Sequence, residues 1–147
     1  MKQVLNFLMF LFFCCSYAQE ADQKGMLIPV FPGCEEIKNP SKELTDCFSQ
    51  KLKILILEKI DKDELNKNLK NQGKKEAHVH FKFSLNKQGK IEKVEMKEGS
   101  DMNLFIRIKK AIHLINQEFT SEPASYKGEK INMNFTMPIT YQVNSRK

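Results

Sequence analysis

The clearest regularity in the sequence is the stretch Ile131-Asn132-Met133-Asn134-Phe135-Thr136-Met137-Pro138-Ile139-Thr140-Tyr141-Gln142-Val143. Its apolar residues Ile131, Met133, Phe135, Met137, Ile139, Tyr141 and Val143 alternate with polar ones and a proline. A period of two over such a run predicts a long strand with one buried and one wet face. Pro138 lacks a backbone donor, which places the strand at a sheet edge or where pairing ends. An edge strand presents an unpaired ladder. The candidate partner-binding strand is therefore Ile131, Met133, Phe135, Met137, Pro138, Ile139, Tyr141 and Val143.

Working back from it, residues 120–128 contain Pro123 and Gly128 and read as a loop. Before the loop, Gly99-Ser100-Asp101 caps a helix whose Leu104, Ile108, Ala111, Ile112, Ile115 and Phe119 form one stripe. Further back the period returns to two: Val79, Phe81, Phe83 and Leu85 alternate with His78, His80, Lys82 and Ser84. Asn86-Lys87-Gln88-Gly89 then supplies a hairpin turn, with Gly89 free to take positive φ. The return strand spans residues 90–97, and its Ile91 and Val94 share a face only if a bulge intervenes, which is expected near Gly89.

Residues 61–75 are charged and amide-rich, with Leu65 and Leu69 as the only anchors, and read as a linker with one helical turn. Residues 40–60 predict a helix carrying Leu44, Cys47, Phe48, Leu52 and Leu55, with Asn39 as cap and Pro40 in its first turn. Its second half, Ile54-Leu55-Ile56-Leu57, is apolar all round and should be the more buried. Residues 19–33, with Pro29, Pro32 and Gly33, form an extended arm. The order is arm, helix, strand, strand, helix, strand.

The chain has 147 residues, 41% hydrophobic and 29% charged, which fits one small folded domain and excludes a disordered polyelectrolyte or a polytopic membrane protein. Residues 1–18 begin with Lys2, run apolar from Phe7 to Cys15 and end in Ser16-Tyr17-Ala18, the layout of a signal peptide cleaved after Ala18. The run is too short to span a bilayer, so an uncleaved anchor in the membrane is the alternative reading. A lipid-attachment reading is opposed by Phe13 ahead of Cys14 and by Cys14 ahead of Cys15. Cleavage removes Lys2 and lowers the net charge from +6 by one, to +5. It leaves Cys34 and Cys47, an even pair in an oxidising compartment, most simply a disulfide, with two free thiols as the alternative.

His78 and His80, two apart on a strand, point the same way and with Glu76 would make at most a weak zinc or copper site. Against this stands the plain reading of a polar outer strand face, and no metal ligand set is assigned. There is no nucleophile elbow and no grouped glycine loop, and Glu35-Glu36, Asp61/Asp63/Glu64 and Glu92/Glu95 lie in solvated charged contexts. No catalytic residue, cofactor or small-molecule substrate follows. The lysines are interleaved with acids and amides, which argues against nucleic acid.

The arm Ile28-Pro29-Val30-Phe31-Pro32-Gly33-Cys34-Glu35 with Cys47-Phe48-Ser49, the turn Asn86-Lys87-Gln88-Gly89-Lys90-Ile91, and the closing Phe135-Thr136-Met137-Pro138-Ile139-Thr140-Tyr141 resemble the TonB C-terminal domain in its stand-alone, Bacteroidetes-type form. The resemblance spans about residues 28–143. It implies an α+β fold of two helices packed on a three-stranded antiparallel sheet, preceded here by the extended arm. It implies a periplasmic, non-enzymatic module that captures an extended segment of an outer-membrane receptor, or of another envelope protein, by strand addition. The aromatic-proline pair usual after the first helix is missing from residues 61–75. The organisation expected is a signal peptide at 1–18, an arm with Cys34 at 19–39 and the α+β domain at 40–147. Pairing of the last strand with its own copy, giving a homodimer, is the competing use of the edge.

Overall fold

In the computed structural model, which describes residues 25–143, the elements are β1 (Met26–Leu27), α1 (Lys42–Lys59), α2 (Lys62–Asn71), β2 (Glu76–Leu85), β3 (Ile91–Met96), α3 (Met102–Glu118), β4 (Ser125–Tyr126), β5 (Glu129–Lys130) and β6 (Met133–Gln142). The expected signal segment and the first residues of the arm, 19–24, lie outside the described residues. The fold is α+β, with an antiparallel sheet in the order β3-β2-β6 as its spine. β2 and β6 pair over their whole length, from Glu76↔Gln142 to Leu85↔Met133.

The period of two explains this pairing. Along β2, Ala77, Val79, Phe81, Phe83 and Leu85 are buried, and along β6 Met137, Ile139 and Tyr141 are buried opposite them. Helices α1 and α3 cover that face. Leu44, Phe48, Leu52 and Ile56, at steps of four, bury one stripe of α1, and Leu104, Ile108, Ala111, Ile112 and Ile115 bury the matching stripe of α3. Asp101 caps α3 by accepting from the Leu104 N–H, as the sequence predicts.

Several expectations need correction. Residues 61–75 hold a full helix: the Asp61 carboxylate accepts from the Glu64 N–H at 3.0 Å, and Leu65 and Leu69, one turn apart, are buried. Two anchors suffice because the neighbouring core, not intrinsic propensity, stabilises a short helix. The cap of α1 is Ser41, whose Oγ accepts from the Leu44 N–H, while the Asn39 side chain clamps both the N–H and the C=O of Ile28 in the arm. The second half of α1 is not buried all round, since Ile54 is 53% exposed. The expected loop at 120–128 holds β4, which with β5 makes a hairpin and with β1 completes a second small sheet ordered β1-β4-β5. The bulge is real but lies between Lys82 and Ser84 of β2, opposite Lys93 and Val94, rather than at Gly89. Lys93 takes φ of +52°, so it is the extra residue. Ile131 precedes the last strand and Val143 comes directly after it.

The arm is tied down at four points: the β1–β4 pairing, the Ile28 clamp, a two-way backbone bridge between Val30 and Glu122, and the Cys34–Cys47 disulfide with Cα atoms 6.1 Å apart. Phe31 sits edge-on to Phe48, their ring centres 5.5 Å apart. Replacing both cysteines by alanine should lower stability by about 3 kcal/mol, because the bridge restricts the unfolded chain. Urea denaturation measures it. A loss below about 1 kcal/mol would assign the arm's attachment to the β1–β4 pairing, the Val30–Glu122 bridge, Asn39 and Phe31 instead.

Candidate functional site

Among the described residues the long strand β6 pairs on one side only, with β2. Val143 donates its N–H to the Lys75 carbonyl at 2.9 Å, one step beyond the Glu76↔Gln142 rung. Residues directly opposite in an antiparallel pair alternate between bonded and non-bonded rungs. The odd-numbered residues of β6 therefore aim their backbone groups at β2. On the far side of β2 the parity agrees, since the carbonyls of His78 and His80 accept from Asp101 and Lys97 at 2.8 Å. The even-numbered residues of β6, Asn134, Thr136, Pro138, Thr140 and Gln142, aim theirs outward. Among the described residues no hydrogen bond reaches those outward backbone groups.

Pro138 falls on this outward set, opposite His80. Its missing donor costs the β2–β6 ladder nothing, which is why the proline is tolerated in a fully paired strand. The residues that the sequence singles out divide in two. Met137, Ile139 and Tyr141 are buried and Phe135 is partly buried, so their side chains hold the strand to the core, while Pro138 is exposed on the other face. Met133 is half-buried at the start of the strand and Val143 is packed against the core just after its end. Ile131 turns away, giving its N–H to the Ala124 carbonyl. The outward ladder belongs to their polar neighbours.

The opposite edge of the sheet is protected. The Asn116 side chain from α3 bonds the N–H and the C=O of Ile91 at 2.9 and 2.8 Å, occupying the first outer rung of β3. The bulge at Lys93 then bends the rest of β3. Both are recognised ways of keeping an edge from pairing. Among the described residues one long sheet edge is left without a partner, that of β6.

At one end of β6, on the wet face, His78 bridges Glu76 and Thr140, with Nε2 3.0 Å from Glu76 Oε1 and Nδ1 3.0 Å from Thr140 Oγ1. The His78 hydrogen bond, helped by its charge, holds the Glu76 carboxyl below its ordinary value. Both ring nitrogens of His78 are thus engaged. His80 is fastened by its backbone to Ser100 Oγ, and His113 meets Gln117 on α3. Among the described residues no group of three or more His, Cys, Asp or Glu is arranged to hold a metal ion. On the core face, the Tyr141 hydroxyl donates to Asn66 Oδ1 at 2.9 Å, linking β6 to α2, and burial raises its phenol above the usual value. No described helix is long and apolar enough to cross a membrane.

A comparison with protein families matches residues 69–143, 75 of the 147 residues, to the model described as Gram-negative bacterial TonB protein C-terminal. The match starts inside α2 and ends just past β6, so it covers the whole β3-β2-β6 sheet and α3. No curated protein matches the chain.

Proposed function

Because the chain belongs to the Gram-negative bacterial TonB C-terminal family, a family of envelope protein-interaction modules associated with transport, we propose that it binds an extended segment of an outer-membrane receptor as an added strand on β6. The observation that carries this reading is the outward ladder of Asn134, Thr136, Thr140 and Gln142, left open while the β3 edge is closed by Asn116. Strand addition draws affinity from such backbone groups and selectivity from alternate side chains. We read the chain as a non-enzymatic protein of the periplasm, reaching it by cleavage after Ala18. A second copy pairing through the same edge is the competing occupant, and light scattering over a dilution series separates the two.

The test is an NMR titration of the labelled protein with peptides from the periplasmic N-termini of outer-membrane receptors of the same organism. Shifts should concentrate on Asn134, Thr136, Thr140 and Gln142. Thr136→Pro or Thr140→Pro should weaken binding about tenfold or more, since each removes one outward donor and leaves a partner carbonyl unpaired. Both variants should fold, because Pro138 already occupies the same parity. Undiminished binding by both variants would sink the proposal. Ile139→Pro is the contrasting change, removing a donor aimed at β2 and costing stability instead.

A further inference from the structure

The wet face of the sheet carries a hollow of about 370 Å³ beside the open edge, lined by Lys82, Ser84, Lys93, Glu95, Asn134 and Thr136 together with Phe83 and Phe135. Three features make it more than a dip between side chains. Ser84 is 2% exposed and its Oγ has no hydrogen-bond partner among the described residues, an uncommon state for a buried hydroxyl. Lys82 and Lys93 both line the hollow, and neither is held in an ion pair among the described residues. Lys93 is there because of the bulge: two rungs that would present Glu92 and Glu95 are separated by an extra residue at φ of +52°, which adds a cation to the wall. A lysine rarely takes that conformation without the surroundings imposing it.

The charges of the lining sum to one excess positive, two lysines against Glu95. Glu92, the other acid of this region, accepts from Asn86 Nδ2 at 3.2 Å. The hollow therefore offers cations, a free hydroxyl and the side chains of Asn134 and Thr136, a donor set suited to a carboxylate. Asn134 and Thr136 are also two of the outward rungs of β6, paired across to Ser84 and Lys82. A strand added there places every second side chain on this same face, one strand spacing from the hollow.

We propose that this hollow is a selectivity pocket that receives an acidic side chain, Glu or Asp, of the added segment. The inference rests on the strand-addition reading and specifies the partner: an extended segment with a carboxylate at the position level with Thr136. Lys82 and Lys93 supply the charge, Ser84 Oγ donates, and Glu95 competes for the same lysines and limits the affinity.

The experiment titrates the labelled protein with the receptor N-terminal peptides, each synthesised with Glu, Gln or Lys at successive alternate positions. At one position Glu should bind about tenfold tighter than Gln, and Lys weaker than both, with the largest added shifts at Ser84 and Thr136. The preference should disappear in the Lys82→Gln/Lys93→Gln protein, and Glu95→Gln should strengthen Glu-bearing peptides. Peptides that shift the even-numbered residues of β6 yet bind equally with Glu and Gln at every position would overturn the pocket and leave strand addition standing. Absence of any shift on β6 would overturn both.

Discussion

Replacing Phe48 by alanine is expected to cost about 4 kcal/mol of stability, among the larger effects of any single core substitution in this chain. The ring is 1% exposed and joins three parts of the molecule. It stacks on Phe135 of β6 at 5.1 Å, Phe135 stacks in turn on Phe83 of β2 at 5.2 Å, and Phe31 of the arm packs edge-on to it at 5.5 Å. Removing it leaves a void that Phe31 and Phe135, each fixed by its own backbone, cannot both fill. Domains of this kind hold about 5–15 kcal/mol in total, so much of the margin goes. Urea denaturation gives the loss, and hydrogen exchange should show the amides at the Phe135 end of β6 losing protection first. Ile54→Ala, in the same helix but at a side chain 53% exposed, should change stability by no more than about 0.5 kcal/mol. Similar losses for the two variants would refute this account of the core.

The second large effect is expected at Gly89. Its φ of +76° suits glycine, yet the decisive term is space: a Cβ there would lie 1.8 Å from the Ser121 carbonyl oxygen and 2.9 Å from its carbon. Those are backbone atoms, and they are pinned, since Ser121 gives its N–H to the Gly89 carbonyl and the next residue, Glu122, bridges to Val30. The turn cannot yield either, because Asn86 Oδ1 accepts from both Gln88 and Lys90, and Gly89 itself donates to the Asn86 carbonyl. Gly89→Ala must push the hairpin away from the 120–128 segment, at about 3 kcal/mol or more from strain and a lost backbone bond. Gly73 has φ of +66° with nothing near a Cβ, so Gly73→Ala should cost only about 1 kcal/mol. Equal losses would mean that conformation alone, not the approach to Ser121, makes glycine necessary at 89.

Much of the spine was legible because burial on one side of a sheet or helix writes a period into the sequence. Ile139 and Tyr141, Val79 and Phe81, and the stripe from Leu104 to Ile115 are buried where the period places them. The α2 helix was not legible, since Leu65 and Leu69 are too few to set a period, and its remaining support is tertiary: Tyr141 on Asn66, and Arg107 on Glu64 at 2.8 Å. Ile54 was misread for the converse reason. An apolar run says nothing about which side is covered when the covering helix is not in the run. The small β1-β4-β5 sheet escaped because two-residue strands are too short to alternate.

For the candidate site the division is sharper. From the sequence alone came the order of helices and strands, the long alternating strand and its proline, which depend on residue type and spacing, and the likeness to the TonB C-terminal domain, which implied the α+β class. Which edge lacks a partner among the described residues, which residues aim their backbone groups outward there, and where the bulge puts Lys93 were decided only by the tertiary structure. Side-chain period tells the faces of a strand apart, but both faces look alike to a neighbour in the plane of the sheet. The direction of each N–H is fixed by register against β2, and the closure of β3 by an asparagine from a helix 25 residues downstream of Ile91 in the chain. Such information lies between elements, in distances that no single segment carries.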